Sequence, residues 1–185
     1  PPSVNSSLRY YAPVCTSSAI AAAGMLAHSA KIFSQFSSLN SYVQALQAKA
    51  ELAWAAVLPN LENNTLQENC DDGSVKSGDA DQTATDQKRM SITAAIHLFD
   101  LTGKNQYHQY IKDYINDSDV ISNSQWSNYN LIHVDALLYY TTLANADATL
   151  KNMIISSATT DANNNYNDYF EFNTLDLYRA PTSDW

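Results

Sequence analysis

The chain has 185 residues, 45% of them apolar, with a net charge of −9 and a pI near 4.6. That length holds one core, so a single domain over residues 1–185 is expected. The acidity argues against nucleic acid or an anionic membrane as partner, and the lack of any uncharged apolar run of about 18 residues argues against a membrane span.

The first dense segment is Thr16 to Phe33, TSSAIAAAGMLAHSAKIF, with Cys15 just ahead of it. Thr16 or Ser17 can cap it, and Ile20, Gly24, Ala27 and Ala30 recur at helical spacing. Small residues on nearly every side let neighbouring backbones approach closely, the behaviour of an inner helix. From Ser41 to Val57 the pattern changes: Val43, Leu46, Ala50, Trp54 and Val57 make one stripe, an outer amphipathic helix closed by Pro59.

The alternation then repeats. Met90 to Leu101 is dense and apolar, with Asp86 or Ser91 near its start. Gly103 stands where a left-handed stop belongs, and Tyr107, Tyr110, Ile111 and Tyr114 form a second stripe. Leu131 to Leu143 is again dense, and a helix with Leu150, Met153 and Ile154 follows. With only four glycines and no sustained period-two run, the fold class is all-α: three hairpins, each with the packed helix first. Inner-plus-outer hairpins without a residue-level repeat point to part of a helical toroid more than to a solenoid. With only Cys15 and Cys70 there is no disulfide framework, and two free buried thiols are favoured over a bridge.

Four stretches, in order, resemble the catalytic module of family-9 glycoside hydrolases. Tyr10-Tyr11-Ala12-Pro13-Val14-Cys15-Thr16-Ser17-Ser18-Ala19, running into AAAGMLAHSAKIF, is similar to the family's Ala-rich inner helix and its approach. Gln47-Ala48-Lys49-Ala50-Glu51-Leu52-Ala53-Trp54 resembles the partner helix. Ala94-Ala95-Ile96-His97-Leu98-Phe99-Asp100-Leu101-Thr102-Gly103-Lys104-Asn105-Gln106-Tyr107 looks like Ala-Ala-x-x-Leu-Tyr-x-x-Thr-Gly-Asp-x-x-Tyr. Leu177-Tyr178-Arg179-Ala180-Pro181 is similar to a Tyr-x-x-Pro stretch. The resemblance implies helical hairpins forming part of an (α/α)6 barrel of about twice this length, acting on β-linked oligosaccharide or polysaccharide in a secreted or periplasmic setting.

Such hydrolysis needs two carboxyl groups flanking the scissile bond, one as acid and one activating water. The resemblance places the base in an Asp-Ala-Gly-Asp segment ahead of the Ala-rich helix and the acid near the module's C-terminus. Neither is found in this chain. Gly78-Asp79-Ala80-Asp81 imitates the first but follows the helix instead of preceding it. The expectation is therefore a fragment without catalytic residues of its own, its exposed inner helices covered by the remainder of the enzyme or a neighbouring chain. Where the family has Asp-Glu-x-x-Trp, this chain has Arg89-Met90-Ser91-Ile92-Thr93, unless Asp86-Gln87 takes that place with an insertion, so amino sugars or short oligosaccharides stand beside a cellulose-type substrate.

The binding candidates lie just ahead of the third inner helix. Trp126 and Tyr129 could stack on sugar faces, and His133 matches a cleft histidine of the family. No cofactor is expected. Asp79 and Asp81, in the acidic run Cys70 to Asp86, are a weak Ca²⁺ candidate beside the reading of a solvated loop. The alternative function is a non-catalytic helical module that binds a protein or glycan.

Overall fold

A computed structural model describes residues 15–70, 81–123, 126 and 130–165. Seven α-helices occur among them: α1 Thr16–Phe33, α2 Asn40–Glu62, α3 Ala84–Thr102, α4 Asn105–Tyr114, α5 Asp119–Ser122, α6 Leu131–Tyr140 and α7 Ala148–Asn165. No strand occurs among the described residues.

Side-chain bonds fix the helix directions. Near their starts, Thr16 on α1 bonds Gln87 on α3; near their ends, Lys31 pairs with Asp100. The same holds for α3 and α6, tied by Arg89 to Asn130 at the start and by Asp100 to Tyr139 at the end. So α1, α3 and α6 run parallel, side by side, with α3 in the middle. α2, α4 and α7 each return against the inner helix they follow. The result is an arc of three hairpins with an inner and an outer layer, and one core cluster runs through it from Ile20 to Ile154.

Close approach explains the Ala-rich sequence of α1. A Cβ added to Gly24 would sit 3.1 Å from Ala94 Cα on α3, so the two backbones meet across small residues. Seven of the eighteen residues of α1 are buried, against five of twenty-three in α2. α1 is nevertheless not covered all round. Ala21, Met25, His28 and Ile32 form an exposed stripe, with Met25 66% and Ile32 45% exposed. On α6, at the other edge of the arc, Leu131, Ile132 and Leu138 are likewise exposed.

Four boundaries differ from the sequence reading. Pro59 does not end α2, which continues to Glu62: in the last turn only its own missing N–H is lost, and Leu61 beyond it packs in the core. α1 is preceded by Cys15 with no side-chain cap, because the Thr16 hydroxyl bonds to Gln87 instead. α3 begins at Ala84, capped by Thr83, whose Oγ1 accepts the Asp86 N–H at 3.1 Å. α6 ends at Tyr140, not Leu143, with Thr141 and Thr142 hydroxyls turned back onto main-chain carbonyls. Gly103 holds the left-handed stop of α3 at φ 65° as read.

The cysteines are joined, correcting the expectation of free thiols. The segment after α2 folds back over the start of α1: Gln67 N–H donates to Thr16 Oγ1 at 2.9 Å, and Gln87 Nε2 donates to the Gln67 carbonyl at 2.7 Å. This places Cys70 with its Cα 5.4 Å from that of Cys15, within the range a disulfide spans.

Candidate functional site

Polar side chains gather where the three inner helices begin. Gln87 is fully buried, and every hydrogen-bonding atom of its amide is used. Nε2 donates to the Gln67 and Gln82 carbonyls, while Oε1 accepts from the Thr16 hydroxyl at 2.6 Å. A buried amide left unsatisfied would cost about 1–3 kcal/mol, so this residue pins both arms of the long loop to α1 and α3.

Two residues beyond Gln87 on α3 stands Arg89. Its Nε and Nη2 bind the two Asp119 oxygens at 2.8 and 2.7 Å, a two-pronged pairing with both side chains about one-sixth exposed. Nη1 donates to Asn130 Oδ1 at 2.5 Å. Asp119 opens α5 and Asn130 directly precedes α6, so one guanidinium clasps both sides of the stretch that contains Trp126.

Within that frame, Trp126 is half-buried against the core, and its indole N–H donates to Ser157 Oγ on α7 at 2.9 Å. His133 is 4% exposed. Its Nδ1 meets Thr93 Oγ1 at 2.8 Å and its Nε2 meets Ser118 Oγ at 2.7 Å. Burial, and then the Arg89 charge, lower its pKa to about 3, so the ring is neutral and holds α3, α5 and α6 in register. Asp81 is exposed, and its Oδ1 accepts the Cys70 N–H at 2.7 Å. Tyr129 and Asp79 lie outside the described residues. No group of three or more metal-ligating side chains occurs among the described residues.

A second polar cluster joins the same helices near their far ends. Asp100 receives Lys31 Nζ at 2.9 Å and the Tyr139 hydroxyl at 2.8 Å. The His28 and His97 rings lie 4.4 Å apart. Burial first, and His28 second, depress the His97 pKa to about 4.

The arrangement is thus a polar rim on parallel inner helices, with an aromatic side chain set beside the third. The sequence profile of glycosyl hydrolase family 9 matches residues 3–182, nearly the whole chain. The chain belongs to that family, whose fold is an (α/α)6 barrel of which these hairpins are an arc, and it is a glycoside hydrolase module of cellulase-like type with a polysaccharide substrate. No curated protein matches it, and no solved structure does.

The residues that sequence reasoning missed are the braces. In the sequence Arg89 stands out only as a departure from the family pattern, yet it organises the rim. Its spacing to Asp119 and Asn130 carries no local signal, because the contact forms only once α3 and α6 lie side by side.

Proposed function

We propose that this chain supplies a sugar-binding face to an inverting hydrolase of β-linked oligosaccharides or polysaccharides, with Trp126 as a stacking platform. The observation that carries this reading is the setting of Trp126. It is half-buried, anchored through its N–H to Ser157, and lies at the inner-helix starts of a family-9 arc. A ring held by its polar edge can offer the rest of its surface to the apolar face of a sugar.

Tyr129, from the same stretch, is the proposed second platform. His133 serves as a positioning residue, since both its nitrogens are spent on Thr93 and Ser118. The 185 residues contain no Asp-Ala-Gly-Asp segment, so the catalytic carboxylates are proposed to belong to other parts of the same enzyme. Those parts would also cover the exposed faces of α1 and α6. The Cys15–Cys70 disulfide supports a secreted or periplasmic setting, where such bonds persist. No cofactor is needed for the two-carboxylate scheme.

Kinetics of the natural polypeptide on β-linked oligosaccharides test the platform. Stacking one sugar ring contributes about 1–2 kcal/mol by area burial, so Trp126→Ala should raise KM about tenfold. A platform remote from the bond being cut stabilises ground and transition states alike, so kcat should change little. An unchanged KM would remove Trp126 from the site.

A further inference from the structure

The groove between α3 and α4 holds a recess that the proposed function does not use. It lies where the end of α2, the start of α3 and the end of α4 converge, and it encloses about 160 Å³. Glu62, Asn64, Lys88, Tyr110, Tyr114 and Asp117 line it, with Ser91 at its wall. Ser91 and Thr93 are about 200° apart around α3 at 3.6 residues per turn, so the recess opens on the opposite side of α3 from His133.

We propose that this recess binds a single pyranose ring, its hydroxyls received by Glu62, Asp117 and Tyr110 and its apolar face resting on Tyr114. Size comes first. A cavity of about 150 Å³ takes one six-membered ring, so a recess of about 160 Å³ takes the ring of one sugar, its hydroxyls projecting past the exposed Glu62, Asn64 and Asp117.

Hydrogen-bond supply comes second. Ser91 Oγ donates its only proton to the Lys88 carbonyl at 2.7 Å, so the Tyr110 hydroxyl, 2.9 Å away, is the donor between the two. The Tyr110 oxygen therefore keeps a free acceptor site. Burial first, and the nearby Tyr114, Asp117 and Glu62, outweigh the Ser91 bond and push its pKa up to about 12, so it stays a neutral phenol. Among the described residues, Glu62, Asp117 and Lys88 form no ion pair with their side chains.

The recess is thus rich in acceptors, with Lys88 and Asn64 as donors, and calls for a ligand bearing several hydroxyl donors. The half-buried Tyr114 ring, 4.5 Å from that of Tyr110, supplies the apolar surface that a sugar also needs. The site does not depend on Trp126 or on the catalytic reading.

The experiment is a titration of the isotope-labelled natural polypeptide with glucose, glucosamine and tetramethylammonium, followed by amide NMR. For one ring of about a dozen heavy atoms, roughly millimolar affinity for glucose is expected. The shifts should centre on the Asn64 and Ser91 amides. Glu62→Gln, at an exposed position, should weaken binding about tenfold by replacing a charged acceptor. Tyr114→Phe should leave binding intact, because the apolar face is kept, whereas Tyr114→Ala should abolish it. Three outcomes overturn the proposal: no glucose binding up to about 100 mM, glucose shifts confined to the Trp126 indole, or binding of glucosamine that tetramethylammonium displaces while glucose does nothing. The second of these would leave the Trp126 platform standing.

Discussion

His133 and His97 sit in the fold as neutral imidazoles, one with both nitrogens bonded and one with a buried Nδ1 that has no partner among the described residues. Their pKa values fall from 6.5 to about 3 and about 4, chiefly through burial. Between those values and 6.5 the unfolded chain binds protons that the folded chain refuses. Stability is therefore complete above about pH 6.5 and is lost as the pH falls towards 4. By pH 5 each imidazole should cost up to about 2 kcal/mol. Urea unfolding at pH 7 and pH 5 checks this, and His133→Asn should roughly halve the pH dependence. A midpoint that does not move between the two pH values would contradict the assignment. Arg89 is argued at the same scale. A double-mutant cycle between Arg89 and Asp119 should give a coupling of about 2 kcal/mol, and Arg89→Lys should not recover it, since lysine lacks the fork.

Helix α1 shows what an element owes to its neighbours. Its small residues exist to meet α3, and the Gly24–Ala94 approach leaves no room for a branched side chain. Gly24→Val should destabilise the fold by about 1–3 kcal/mol through overpacking, read as a lowered urea midpoint. The loop after α2 contributes through its disulfide. With 55 residues of separation, opening the bridge should cost about 4 kcal/mol on chain-entropy grounds, visible as a lower melting temperature under reducing conditions.

At this scale, too, the limits of sequence reading are physical. The stripes of α2 and α4 and the Gly103 stop could be read because periodicity and backbone handedness are local. Pro59 misled because a proline in the last turn removes one bond only. The Cys15–Cys70 bridge and the Arg89 clasp could not be read, because each depends on where a loop or a neighbouring helix returns in space. Of the candidate site, the position of Trp126 ahead of α6 was legible, but its bond to Ser157 on α7 was not.

Among the described residues the helices form an arc with an exposed apolar face at each edge. Leu131 and Ile132 on α6 are 64% and 79% exposed, and Met25 on α1 is 66% exposed, although inner helices of a barrel are flanked on both sides. Apolar faces of this kind ask for cover. The proposal that further helices of the same enzyme provide it explains why the polar rim and Trp126 lie on an otherwise incomplete ring.

Thiol labelling at the two edges tests that central claim most directly. Met25→Cys and Ile132→Cys, introduced separately, should react quickly with a maleimide in the isolated 185-residue chain and at least about tenfold more slowly in the natural polypeptide, where further helices would lie over them. Equally fast labelling in both would mean that the arc stands open, and the barrel reading of this chain would be wrong.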